Sequence, residues 1–220
     1  MPAPLSTIAD RRRQPRSPRN REQKRAANRQ RLLDAALKVF SERGYHGATI
    51  EEIAAESGLS NGALYYNFRN KEDLFLALFD QRIEARIAAV EQTFAPGATS
   101  DQEGERQVKT AALQGVRDID NPKEWAMFFE FVAHAGRTPA FRREFRKRSR
   151  RLRAAFAHAV QQHTANAGTD LPLPADQIAV AITALTQGLA VQRVTDPRAI
   201  PDELLGQLII YMLRGMTTPA

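Results

Sequence analysis

Ser60, Asn61, Gly62, Tyr65 and Tyr66 stand within one short segment, with Lys71 close behind. An asparagine carboxamide can pair bidentately with N6 and N7 of adenine in the major groove. Asn61 falls in the first turn of a helix, the part of a recognition helix that reaches base edges. Gly62 lets the backbone approach the groove floor. The phenol hydroxyls of Tyr65 and Tyr66 fall at the flanks, where phosphates lie, and Lys71 adds a positive charge. A bundle helix with two tyrosines exposed by chance is the bland alternative. Paired tyrosines on a short polar helix are poorly explained by packing, so DNA contact is the better reading.

Such a helix must be held at a fixed angle, and the residues around it supply the means. Thr49 can cap a helix whose first turn holds Glu51 and Glu52, with Glu52 completing a capping box. Ile53 and Ala54 face inward, and Ala54 is small enough for a close helix crossing. Gly58 supplies a tight turn and Leu59 packs back in the manner of a Schellman motif. Ser60 caps the second helix and Leu64 buries it. Two short helices joined by a glycine turn make a helix-turn-helix unit. Ahead of it, Leu33, Ala36, Leu37 and Phe40 recur at three and four residues, giving a first helix that starts near Arg21 and ends at Gly44.

Residues 31–79 resemble the DNA-binding domain of the TetR (tetracycline repressor) family, above all in NGALYYNFRNKEDLF. The resemblance implies DNA contacts from Thr49, Ser60, Asn61, Gly62, Tyr65, Tyr66, Asn67 and Lys71. Asn61 and Asn67 depart from the commonest pattern, in which Lys, Arg or Thr and then His or Tyr are frequent at those places. No operator sequence is therefore borrowed.

The remainder reads as helices separated by turn signals, with no convincing strand. A stripe of Leu76, Phe79, Ile83, Ile87, Val90 and Phe94 runs down a long helix that ends before Pro96-Gly97. A weaker helix covers 103–117. Asn121-Pro122 and Thr138-Pro139 each open a helix, the second reaching about Thr164. After a loop at 168–174, two more helices lie near 175–195 and 202–215. The class is all-α: an N-terminal three-helix domain with the helix-turn-helix, then a C-terminal bundle. The expected boundaries are a disordered basic arm over 1–20, the reading domain over 21–71, and a ligand-binding and dimerisation domain over 72–220.

The net charge of +7 is local. Ten Lys/Arg face one acid between Arg11 and Arg31, and eight face one between Arg142 and Arg153, leaving a net acidic remainder. That suits a nucleic-acid footprint better than general solubility. The first run directly precedes the reading unit and could enter a minor groove. The second is most simply a solvated helix face, with a second phosphate contact or an anionic-ligand contact as its rival. With no cysteine, thiolate sites are unavailable. His158 and His163 lack an i, i+4 metal spacing, and neither a phosphate loop nor a nucleophile elbow is present. The chain is expected to be no enzyme and to need no cofactor or metal. The longest apolar run, Ile178–Leu185, is short for a membrane span, so a cytoplasmic protein is expected.

Trp125, Phe128, Phe129, Phe131 and Phe145 are core residues on their face value, and His134 and Gln187 could be satisfied polar groups. The family resemblance implies instead that the middle helices enclose a small, largely apolar effector, with those seven residues as its wall. It also implies homodimerisation through the last two helices. Ile178, Ile182, Leu185 and Leu189, with Leu204, Leu205, Leu208, Ile209 and Met212, offer more apolar surface than two terminal helices need. The expected function is a repressor that leaves a pseudo-palindromic operator when the effector binds, motion passing along about Lys71–Phe94. An activator, or a ligand-independent architectural DNA protein, is the alternative.

Overall fold

The computed structural model describes residues 18–93, 101–119, 122–166 and 170–217. Among these, α1 (Pro18–Gly47), α2 (Ile50–Ser57), α3 (Asn61–Asn67) and α4 (Lys71–Thr93) come first. They are followed by α5 (Asp101–Ile119), α6 (Pro122–Arg137), α7 (Pro139–Asn166), α8 (Ala175–Thr195) and α9 (Leu204–Thr217). A short 3-10 turn, Pro197–Ala199, separates the last two, and no strand occurs among the described residues. The all-α class follows. Residues 1–17, most of the anticipated arm, lie outside the described residues.

Two boundaries differ from expectation for local reasons. α1 begins at Pro18, about one turn earlier than the expected start near Arg21. Proline is tolerated in a first turn, where its missing N–H has no partner to lose. At its other end α1 breaks at Gly44 (φ 69, ψ 169), and one further turn runs on to Gly47. A residue with a Cβ would be strained at that φ, and its Cβ would meet Glu130 Oε1 at 3.0 Å.

One buried cluster joins the reading helices to the rest. Leu32, Leu33, Ala36 and Phe40 of α1 pack with Ile53, Leu64, Leu74 and Phe75, and the same cluster takes in Phe131 of α6 and Phe141 of α7. The Phe75 ring lies 4.3 Å from that of Phe131 and 5.1 Å from that of Phe40, centroid to centroid. The core therefore runs through α4 without a seam at residue 71. A second cluster unites Val90, Val108 and Phe156 with Ile178, Ile182, Leu205, Ile209 and Leu213.

α8 is long and apolar enough to cross a bilayer by length and composition alone, beyond what its central run suggested. One face of it is covered, at Ile178, Ala179, Ile182 and Ala190. The other leaves Val180, Val191 and Val194 about half exposed, and Tyr211 of α9 is 66% exposed.

Candidate nucleic-acid interface and effector cavity

Every anticipated cap around α2 and α3 forms. Thr49 Oγ1 accepts the Glu52 N–H at 3.2 Å, and Glu52 Oε2 accepts the Thr49 N–H at 3.0 Å. Gly58 is left-handed at φ 64; its N–H donates to Ala55 O (3.0 Å), and the Leu59 N–H donates to Ala54 O (3.1 Å). That pair of bonds is the Schellman arrangement. Arg31 of α1 adds a clamp, donating from Nη2 to Ser57 O at 2.7 Å. Ser60 Oγ accepts the Ala63 N–H at 3.2 Å. Ile53 and Leu64 are fully buried, so the angle between the two helices is fixed from beneath.

The face this leaves outward is the one expected to read DNA. Thr49, Ser60, Asn61 and Gly62 are exposed, as are Tyr65 (55%) and Tyr66 (71%). The two capping hydroxyls already accept a backbone N–H, which leaves their own protons to donate to a phosphate oxygen. A Cβ on Gly62 would touch only Ser60 Oγ, at 3.8 Å, so nothing inside the protein requires glycine there. α3 carries no ionised side chain. Positive charge comes instead from α1, where the Arg25 guanidinium lies 5.3 Å from the Tyr66 ring centre and Arg29 lies 5.1 Å from that of Phe68. The basic run contained these arginines, but their ring contacts depend on how α1 packs against α3 and the residue that follows it.

Two residues on the expected list are turned inward. Lys71 Nζ donates to Tyr45 O (2.8 Å) and Ala48 O (2.9 Å) and sits 4.6 Å from the Tyr45 ring centre. Burial holds its pKa below the usual lysine value. It fastens α4 to the corner that leads into α2. Asn67 Nδ2 donates to Ala63 O at 2.8 Å, and its Oδ1 is buried without a hydrogen-bond partner. Neither placement could be read from spacing, because both depend on how the corner folds over them.

Behind this unit α4, α6, α7 and α8 enclose a cavity of about 720 Å³, with α1 at one edge. Trp125, Phe128, Phe131, Phe145 and Gln187 line it as expected. Phe129 and His134 do not: at 100° per residue along α6 they fall to either side of the Trp125–Phe128–Phe131 stripe. Phe129 is 37% exposed. His134 is buried between Tyr45 (4.2 Å) and Phe141 (4.6 Å), ring centre to ring centre, and burial lowers its pKa. Beside it Glu130 Oε2 accepts the Tyr45 N–H at 3.1 Å. One face of α6 thus walls the cavity while another grips the end of α1.

The second basic run is divided by its helical period. Arg142 caps α6 through Ala135 O and Gly136 O, at 2.8 and 2.7 Å. Arg148 grips Asp80 of α4 with two bonds (2.8 and 3.0 Å) and Glu144 with a third. Arg146 and Arg153 line the cavity.

Comparison with known proteins agrees with this architecture. Residues 32–78 match the model of bacterial regulatory proteins of the tetR family, and residues 104–217 match that of the BetI-type transcriptional repressor C-terminal domain. An HTH-type transcriptional repressor of Mycobacterium tuberculosis is 31% identical over 78% of this chain and 85% of its own length. Three other curated regulators are matched over 66%, 37% and 42% of their lengths. A transcriptional regulator of Saccharomonospora viridis in complex with choline is 22% identical, with TM-score 0.65 over 86% of this chain and 96% of that one. The regulator FadR of Bacillus subtilis in complex with stearoyl-CoA is 17% identical, with TM-score 0.65 over 84% and 96%. At those identities the likeness is one of fold. Capped reading helices, a hollow bundle and both domain matches lead to one conclusion: this chain belongs to the tetR family and is a helix-turn-helix transcriptional regulator.

Proposed function

We propose that the protein is a homodimeric repressor which binds a pseudo-palindromic operator and releases it when a small, largely apolar molecule fills the cavity. The observation that carries this is the outward face of α3. Asn61, Tyr65 and Tyr66 stand exposed on a helix capped by Ser60 and anchored by Leu64, so their side chains are available to a duplex. Asn61 is assigned the base contact, and Thr49, Ser60, Tyr65 and Tyr66 the phosphate contacts. Gly62 permits close approach. Lys71 and Asn67 act by positioning, Lys71 by clipping the Tyr45–Ala48 corner and Asn67 by folding onto α3. Arg25 and Arg29 supply the long-range attraction that α3 lacks.

The half-exposed valines of α8 and Tyr211 of α9 support pairing with the same helices of a second copy, and a two-fold axis there would present two α3 helices to one duplex. The named repressors among its relatives support repression, and action on DNA supports a cytoplasmic place.

Selection of bound duplexes from a random pool tests the reading. The expected product is an inverted repeat, with half-sites protected about one helical turn apart or a multiple of it. Binding with no preference over random duplex would overturn it, and so would a monomer on the selected site.

A further inference from the structure

We propose that the cavity takes an anionic amphiphile: an apolar chain or ring carrying a carboxylate or phosphate head that settles against Arg146 or Arg153. This rests on the cavity being the effector site and names the class of molecule that fits it.

The polar groups on the wall are unequal. Arg82, Arg86, Arg146 and Arg153 face Asp34 and Glu124. Glu124 is already neutralised, its carboxylate lying 3.1 Å from Arg82 Nη1. The same guanidinium lies 5.0 Å from the Trp125 ring centre and 5.7 Å from that of Phe128. Arg86 lies 5.8 Å from the ring centre of Phe156. These two arginines are parts of the wall. Arg146 and Arg153 differ. They are seven residues apart on one face of α7, and neither has a carboxylate partner among the described residues. Their neighbours do: Arg148 holds Asp80 and Glu144, and Arg151 reaches Glu84 at 3.8 Å.

Trp125 is 4% exposed and belongs to the wall. The guanidiniums of Arg146 and Arg153 are donors only, so the partner they lack is an acceptor. Guanidinium forks match carboxylate and phosphate oxygens, and with Arg146 exposed and Arg153 half-buried the head would stay partly hydrated. Phe128, Phe131, Phe145 and Phe156 offer the rest of the molecule an apolar bed. A quaternary ammonium would need the faces of Trp125 and Phe128, which the Arg82 guanidinium already covers. Arg146 and Arg153 lie about 10 Å apart along the axis at 1.5 Å per residue, so a single carboxylate meets one of them while an extended polyanion could meet both.

Four probes with one tail decide it: dodecanoate, dodecyl phosphate, dodecanol and dodecyltrimethylammonium, each titrated below its micelle concentration into the full chain. Trp125 is the sole tryptophan, so its emission reports on the wall directly. The anions should bind at least tenfold more tightly than dodecanol, the cation more weakly than dodecanol. The tighter of the two anions identifies the head group. The double variant Arg146→Gln/Arg153→Gln should lose the preference for anions and keep its affinity for dodecanol. Dodecanol or the cation binding as well as the anions would overturn the proposal while leaving an apolar effector site standing. No response to any probe would overturn both.

Discussion

The reading corner and the cavity are built by opposite means. In α2 and α3 each cap bond joins residues two to five apart along the chain, and the buried anchors lie directly beneath. The cavity wall draws on positions from Leu33 to Gln187, carried by five helices. The caps of the corner are satisfied locally, and Arg31 and Lys71 add clamps from farther away in the chain. The cavity exists because side chains from distant helices fail to meet. The first is therefore specified by neighbours in sequence, the second only by the assembled bundle.

The largest effect that would break this contrast is on stability. Leu64 is fully buried under α3, and Leu64→Ala should cost about 2–5 kcal/mol in urea unfolding. Phe128 is larger, yet it is partly buried and one side of it faces the cavity. Phe128→Ala should therefore cost clearly less. Equal losses would mean that the wall is filled core and that no binding space exists.

A second effect sharpens the corner's role by separating stability from reading. Asn61 is exposed and makes no bond that the fold needs. Asn61→Ala should cost about 1–3 kcal/mol in affinity for the selected operator and relax preference at one base pair per half-site. Its melting temperature should match that of the wild type. Weakened binding to all duplexes alike would reassign Asn61 to the backbone.

Gly62→Ala is a smaller and more peculiar case. The new methyl meets nothing closer than 3.8 Å, and alanine favours a helix over glycine by as much as about 1 kcal/mol. The variant should melt slightly higher and bind operator less well. Unchanged affinity would show that the duplex does not approach this turn.

How much of this was legible in the sequence follows from the same contrast. Helix boundaries at Pro122, Pro139 and Ala175, the capping box and the Schellman turn are all written in residues a few positions apart, and they could be read there. Lys71, Asn67 and His134 could not. Lys71 looked like a surface charge because the two carbonyls that take it, Tyr45 O and Ala48 O, belong to a corner more than twenty residues earlier. Aromatic density read as core, and only the family resemblance pointed to a cavity wall; neither told which aromatic of α6 faces which way. The division of the second basic run needed Asp80 and Glu84 of α4 to be brought against α7.

The smallest effect concerns the contact between the two regions. The family resemblance assigned the transmission of motion to α4, and α4 does run through the shared core. Yet α6 carries Phe131 in the cavity wall and, one residue earlier, Glu130 on the Tyr45 N–H beside the broken turn at Gly44. That turn leads directly to Thr49, the cap of α2. A molecule pressing on the inner face of α6 would then shift the start of the reading unit without bending α4. Glu130→Ala removes the acceptor, whereas Glu130→Gln keeps a carbonyl oxygen in its place. The ratio of operator affinities with and without a bound probe should fall about two- to threefold in Glu130→Ala, roughly 0.5 kcal/mol of coupling. Glu130→Gln should restore it, and probe affinity without DNA should be the same in all three proteins. Unchanged coupling in Glu130→Ala would return transmission to α4 alone, and lost probe affinity would make Glu130 part of the cavity's support.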